Sequence, residues 1–254
     1  MSSPRVTAAV LLIGDDLLSG RTQDTNLQTI AKFVGPLGVQ IAEVRVVADV
    51  ESEIAAAVNA LRGRYDYVFT TGGIGPTHDD KTADAIAGAF GVPIGVREDA
   101  VAILKAHYGD ATALNEARLR MARIPEGASL IANTVSRAPG FQLGNVFVMA
   151  GVPAVMRAML DDVGPRLAGG AVIRSRTVRG VGAREGDLAA GLAALERDSP
   201  GVTFGSYPFY SNEGYGANLV ARSADSGALD KAAADLIALI QGLGAVAEEV
   251  GEAS

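Results

Sequence analysis

The residues with the clearest chemical potential lie in one stretch, Thr70-Thr71-Gly72-Gly73-Ile74-Gly75-Pro76-Thr77-His78-Asp79-Asp80-Lys81-Thr82. It follows the apolar run Tyr67-Val68-Phe69 and precedes the alanine-rich segment Ala83 to Phe90. That order predicts a strand, a tight turn and a helix start. Glycines let a backbone approach a ligand where any Cβ would intrude. The first turn of a helix offers free N–H groups and the positive end of a dipole, which suits phosphate. Asp79 and Asp80 suit a helix cap or a divalent cation such as magnesium. A plain glycine turn with no ligand is an equal reading of this stretch alone.

Three further loops add the same residue types. They are Gly14-Asp15-Asp16-Leu17-Leu18-Ser19-Gly20, Ala48-Asp49, and Ala150-Gly151-Val152-Pro153. Asp49 also precedes a helical segment and could cap it, and Asp15 and Asp16 could be loop solvation. His78 is read as a solvated loop residue and His107 as structural. Arg137 is either a surface charge or a clamp on an anion. Several familiar motifs fail. Asp80 replaces the glycine that a Walker A loop needs before Lys81, and no second glycine follows Gly75 at dinucleotide spacing. Gly180-Val181-Gly182 is read as a turn, and no Gly-x-Ser-x-Gly elbow occurs.

The elements that must position these loops alternate. Strands are predicted at Thr7 to Ile13, Val39 to Val47 and Tyr65 to Thr70. Helices are predicted at Asn26 to Val34, Glu51 to Leu61 and Ala83 to Phe90, the first carrying Leu27, Ile30, Ala31 and Val34 on one face. Helical segments at Glu98 to Tyr108 and Leu114 to Ala122 follow. Pro125 to Gly144 reads as loop with a short hairpin, then a strand at Asn145 to Met149 and a helix from Ala154 to about Leu167. This order predicts an α/β fold, a doubly wound and mostly parallel sheet. All four loops then fall at the carboxyl ends of strands, where such sheets bind ligands.

Gly164-Pro165 and Ala168-Gly169-Gly170 mark a boundary. Residues 1–168 are expected to form the α/β domain and 171–254 a small α+β module. The module's predicted order is β-α-β-β-α: Val172 to Val178, Glu185 to Leu195, Val202 to Tyr207, Ala217 to Arg222 and Ala228 to Leu243. Its hairpin carries Ser206-Tyr207-Pro208 and Glu213-Gly214-Tyr215-Gly216.

Composition narrows the chemistry. The chain has 254 residues and a net charge of -7, so a duplex nucleic acid or an anionic membrane surface is not an expected partner. It has no cysteine and two histidines, which excludes thiolate chemistry and leaves little for zinc. No signal peptide or membrane-spanning run is read, and the protein is expected to be soluble and cytoplasmic.

Taken together, the glycine–carboxylate loops with Arg21, Asp24-Thr25-Asn26 and Gly151-Val152-Pro153 resemble the molybdopterin-binding domain of the MoaB/MogA type. The form Gly-Pro-Thr-His-Asp-Asp, with Asn115, Arg118 to Arg123, Ile124-Pro125-Glu126-Gly127 and Ala138-Pro139-Gly140-Phe141, is most similar to the CinA branch. The resemblance extends into the small module at Ser206-Tyr207-Pro208. Asp16 stands where the family usually has Glu, and Ala150 where Pro usually precedes Gly-Val-Pro.

The resemblance implies chemistry on phosphate anhydrides. That is hydrolysis of nucleotide pyrophosphates such as ADP-ribose in the CinA branch, and adenylylation of molybdopterin in the MogA branch. A non-catalytic pterin- or nucleotide-binding module is the alternative from another class. By resemblance, Asp49 and Asp80 are the expected catalytic residues and the ligands of a divalent metal, Mg or similar. Gly14, Asp16, Asp24, Asn26, Thr71, Gly72, Gly73, Gly75, Pro76, Thr82, Gly151 and Pro153 are the expected ligand-binding residues. Gly72, Gly73 and Gly75 would offer N–H groups to phosphate, and Thr82 an extra oxygen. The expected partner is a small-molecule nucleotide or pterin, and the protein is expected to be a homo-oligomer. Full-length CinA proteins carry a further deamidase domain, which this sequence is read as lacking.

Overall fold

A computed structural model describes residues 4–109, 114–211 and 214–250. Glu213 of the predicted hairpin lies outside them. The chain forms two compact units, residues 1–171 and 172–254.

The first unit begins with β1 (Val6–Ile13), α1 (Asp15–Leu18), α2 (Asn26–Val34), β2 (Val39–Val47) and α3 (Glu51–Arg62). It continues through β3 (Tyr67–Thr71), α4 (Thr82–Phe90), β4 (Ile94–Val96), α5 (Glu98–Tyr108) and α6 (Glu116–Arg120). Then come β5 (Arg123–Pro125), β6 (Ser129–Ile131), β7 (Gly140–Leu143), β8 (Val146–Met149) and α7 (Pro153–Val163). The main sheet has the order β2-β1-β3-β8-β7-β6. β2, β1, β3 and β8 run parallel, whereas β7 and β6 extend the sheet antiparallel.

The continuous apolar run of β1 is explained by burial on both faces. Alternation within it sends Ala9, Leu11 and Ile13 to one core with α3 and α4, and Ala8, Val10 and Leu12 to the other with α2 and α7. Phe69 and Phe147, with ring centroids 5.4 Å apart, join β3 to β8 in the second core. The segment 125–144, read as loop with a short hairpin, supplies β6 and β7, which pair antiparallel as the hairpin. They are three and four residues long and carry Gly140, so no strand period can develop in the sequence.

Chain order decides where a ligand can enter. From β1 the chain moves to β2 on one side, and β3 returns on the other side of β1. The loops after β1 and β3 therefore diverge and leave a crevice at the carboxyl edge.

The second unit contains β9 (Arg174–Val181), α8 (Glu185–Asp198), β10 (Thr203–Ser211), β11 (Gly214–Ser223), α9 (Ser226–Gly242) and β12 (Val246–Val250). Its antiparallel sheet has the order β10-β11-β9-β12, so β12 closes a β-α-β-β-α-β unit beyond the expected five elements. Gly180 and Val181 belong to β9 rather than to a turn, and a Cβ on Gly180 would press on Ile240 at 3.2 Å. Val178, Leu188, Leu219, Leu229, Leu236 and Ile240 form this unit's own core.

Candidate functional site

The glycine turn is built by the protein's own packing. Gly72 has φ 107° and Gly73 φ 67°, a region that side chains with a Cβ rarely occupy. A Cβ on Gly72 would lie 2.2 Å from the Ile13 carbonyl oxygen, and one on Gly73 2.2 Å from Thr82 Oγ1. The Thr82 N–H donates to the Gly73 carbonyl (3.0 Å) and its hydroxyl to the Gly72 carbonyl (2.9 Å). Thr82 is fully buried behind the turn and does not line the cleft described below. It braces the loop rather than presenting an oxygen to a ligand.

The three glycines are not equivalent donors. The Gly72 N–H donates to the Met149 carbonyl at 3.1 Å, continuing the β3–β8 pairing. It is therefore spent within the fold, unlike the expectation for it. Among the described residues nothing accepts from the N–H groups of Gly73, Ile74 and Gly75. These are the donors left for an anion.

Neither expected cap is one. Asp80 accepts from the Thr77 N–H (2.8 Å) and hydroxyl (2.6 Å), closing the turn ahead of α4, whose own start has no side-chain cap. Asp49 makes no cap for α3 but accepts from the Asp15 N–H at 2.9 Å, so the ends of β2 and β1 are tied together. Asp24 does brace a helix start: its two oxygens accept from the N–H groups of Asn26 and Leu27, both at 3.1 Å. Asn26 is 5% exposed and donates from Nδ2 to the Gly151 carbonyl at 2.7 Å, joining α2 to the loop after β8. Its Oδ1 is buried without a hydrogen-bond partner.

These loops enclose a cleft of about 1070 Å³. Of the expected residues, Gly14, Asp16, Asp24, Asn26, Asp49, Thr71, Gly72, Gly73, Gly75, Pro76, Asp80, Gly151 and Pro153 line it. His78 and Arg137 do not. Arg137 is exposed and has φ 63°, the one described non-glycine residue with positive φ, between the lining residues Ser136 and Ala138. Asp15, Asp79, Tyr108, Arg118 and Met121 also line the cleft and were given no firm role from sequence. The signal for Asp15 and Asp79 was adjacency to Asp16 and Asp80. Arg118 was marked only as part of the Arg118 to Arg123 segment of the CinA-like pattern, and Tyr108 carried no signal; the contact of the Arg118 guanidinium with the Tyr108 ring pairs them at the cleft.

The electrostatics are acidic. Burial pushes the Asp49 carboxyl above its ordinary range, and the charges of Asp15, Asp79 and Asp80 push it further, against the opposing Asp15 N–H. Arg21 pairs with Asp16 at 2.8 Å, both side chains largely exposed. Among the described residues no three His, Cys, Asp or Glu side chains are grouped to hold a metal. Asp49 and Asp80 line the cleft together, and each already accepts a backbone N–H, from Asp15 and Thr77 respectively.

Comparison with known proteins agrees with the loop pattern. Residues 9–169 match the family described as probable molybdopterin binding domain, and residues 174–249 match the FAD synthase middle domain. The chain belongs to the molybdopterin-binding domain family. Within that family it is similar to a CinA-like protein of Gemmatimonas aurantiaca, 37% identical over 89% of this chain and 56% of the relative. A CinA-like protein of Desulfosudis oleivorans is 35% identical over 78% of this chain and 51% of the relative. The chain thus spans about half the length of these CinA-like relatives. A protein of Aeropyrum pernix is 32% identical over 96% of this chain and 94% of its own. Among solved structures, CinA of Thermoplasma acidophilum, described as of unknown function, superposes with a TM-score of 0.60 at 36% identity. That match covers 64% of this chain and 99% of the other. The mixed, mostly parallel α/β sheet is thus the fold of a CinA-like molybdopterin-binding domain. No described helix is long and apolar enough to cross a membrane.

Proposed function

We propose that the cleft binds a phosphorylated nucleotide or pterin and hydrolyses nucleotide pyrophosphates such as ADP-ribose. One observation carries this reading: the unused N–H groups of Gly73, Ile74 and Gly75 share a cleft with Asp49, whose carboxyl is pushed up by burial and by neighbouring carboxylates. A phosphate oxygen is the natural acceptor for such donors. A cation is the natural relief for such a cluster of carboxylates.

Asp49 and Asp80 are the residues that would hold a divalent cation. When bound, such an ion neutralises charge on the leaving phosphate and lowers the pKa of a coordinated water. Gly73 and Gly75 orient the pyrophosphate, and the hydrogen bonds from Thr77 hold Asp80 in place. Asn26 Oδ1 is the acceptor available for a ligand N–H or O–H group. In the reaction a water oxygen bonds to phosphorus, the bridging P–O bond breaks, and two monophosphates leave.

The family description favours a second reading, binding of molybdopterin; adenylyl transfer to the bound pterin from ATP is the catalytic form of that reading. One experiment separates the two. Purified protein is incubated with ADP-ribose, FAD, NAD, coenzyme A or ATP plus a pterin, each with magnesium, manganese or cobalt, and products are identified by mass spectrometry. Monophosphate products that vanish in a folded Asp80→Asn variant support hydrolysis. Hydrolysis that survives Asp80→Asn overturns the assignment. Thermal stabilisation without any product leaves the binding module as the function.

A further inference from the structure

Tyr108 closes α5 and Arg118 lies in α6, and the guanidinium carbon of Arg118 sits 4.4 Å from the centroid of the Tyr108 ring. Both residues are half-buried, and with Met121 they line the same cleft as Asp49 and the glycine turn. Tyr108 is the one aromatic ring among the described lining residues.

Two connections set this pair in place. Asn115 caps α6, its side chain accepting from the Arg118 N–H at 3.0 Å. Arg120, at the end of the same helix, donates to the Asp80 carbonyl at 3.2 Å. The wall that carries Tyr108 and Arg118 is thereby tied to the loop that carries Asp80.

Charge makes the pair unusual in this cleft. Asp15, Asp16, Asp24, Asp49, Asp79 and Asp80 line it, against Arg21 and Arg118. A guanidinium stacked on an aromatic face presents a flat, cationic, weakly hydrated surface. Fused heteroaromatic rings stack well on such surfaces, and their polar edges remain free to hydrogen-bond. A cleft larger than most small-ligand pockets has room for a ring at this wall and a pyrophosphate at the glycine turn.

We propose that Tyr108 and Arg118 form the subsite for the heteroaromatic ring of the ligand, a purine or a pterin, next to the phosphate site. The inference rests on the phosphate-site reading above and adds to it the part of the cleft that discriminates among phosphorylated ligands.

The test uses the full chain with magnesium and measures affinity by calorimetry for ADP-ribose, a pterin phosphate, and ribose 5-phosphate, which lacks the ring. Tyr108→Leu is expected to raise the Kd of a ring-bearing ligand by about tenfold and to leave that of ribose 5-phosphate unchanged. Tyr108→Phe keeps the ring and should bind as the wild type does. Arg118→Met, which preserves packing length, should weaken the same ligand. Whichever ring loses affinity identifies the occupant. Equal loss for all three ligands, or no loss for either ring-bearing one, overturns the subsite. Asp80→Asn separates the two levels. If it weakens wild-type binding while Tyr108→Leu has no effect, only the subsite falls. If the wild type binds none of the three, the phosphate-site reading and the subsite fall together.

Discussion

The Asp49 carboxylate accepts a hydrogen bond from the Asp15 backbone N–H at 2.9 Å, across 34 residues of sequence. That contact joins the loop after β1 to the loop after β2, beside the topological switch point of the sheet. It also draws Asp49 into a partly buried position among Asp15, Asp79 and Asp80. The fold holds together charges that would separate in an unfolded chain.

Replacing Asp49 tests this directly. Its native pKa lies above the unfolded value near 3.8, so between the two the native state binds more protons. Stability therefore falls as pH rises through that window and stays lower above it. Asp49→Asn should raise Tm at pH 7, the unfolding free energy rising by up to roughly 0.5 kcal/mol for a partly exposed position. The gain should disappear below the unfolded pKa, where the wild-type carboxyl is neutral. The same variant should lose magnesium-dependent ligand binding. Thermal melts from pH 3 to pH 8 measure the first effect, and a lower Tm at pH 7 would contradict it.

Thr82 gives a second prediction. Its hydroxyl is buried and donates to the Gly72 carbonyl. Thr82→Val keeps the shape and removes the donor, so it should cost about 1–2 kcal/mol in chemical denaturation. Thr82→Ser, which keeps the hydroxyl, should cost less. Equal stability of the valine variant and the wild type would refute the bracing role.

Asn26 gives a third. Its Nδ2 donates to the Gly151 carbonyl, so Asn26→Asp would set a carboxylate oxygen against a carbonyl in a buried place. Loss of about 2 kcal/mol is expected at neutral pH, with partial recovery at acid pH when the new carboxyl is protonated and can donate. A pH series of urea midpoints measures it. An unchanged midpoint at pH 7 would show that α2 and the loop at Gly151 are not coupled in this way.

Much of the first unit was legible because its elements are long and periodic. The predicted bounds of α2 (Asn26–Val34), β2 (Val39–Val47) and α5 (Glu98–Tyr108) coincide with the observed ones. β4, β5, β6 and β7 are three or four residues long, and strands that short carry no reliable period. β12 (Val246–Val250), with two glutamates in five residues, lacks the apolar run that marks a strand, and it exists because β9 pairs with it.

Local pattern by itself determined the long strands and helices and the glycine–carboxylate loops at the strand ends. It also carried the resemblance to the molybdopterin-binding domain family to which the chain belongs. Those features depend on residues near one another in the chain, where spacing and side-chain type suffice. Which groups remain free for a ligand was decided only in three dimensions. Gly72 loses its N–H to Met149, Thr82 turns inward to Gly72, Asp49 reaches across to Asp15, and Arg118 stacks on Tyr108. The physical reason is that a hydrogen-bonding group or an aromatic face satisfies whatever neighbour the fold brings to it, and most of these neighbours are distant in sequence.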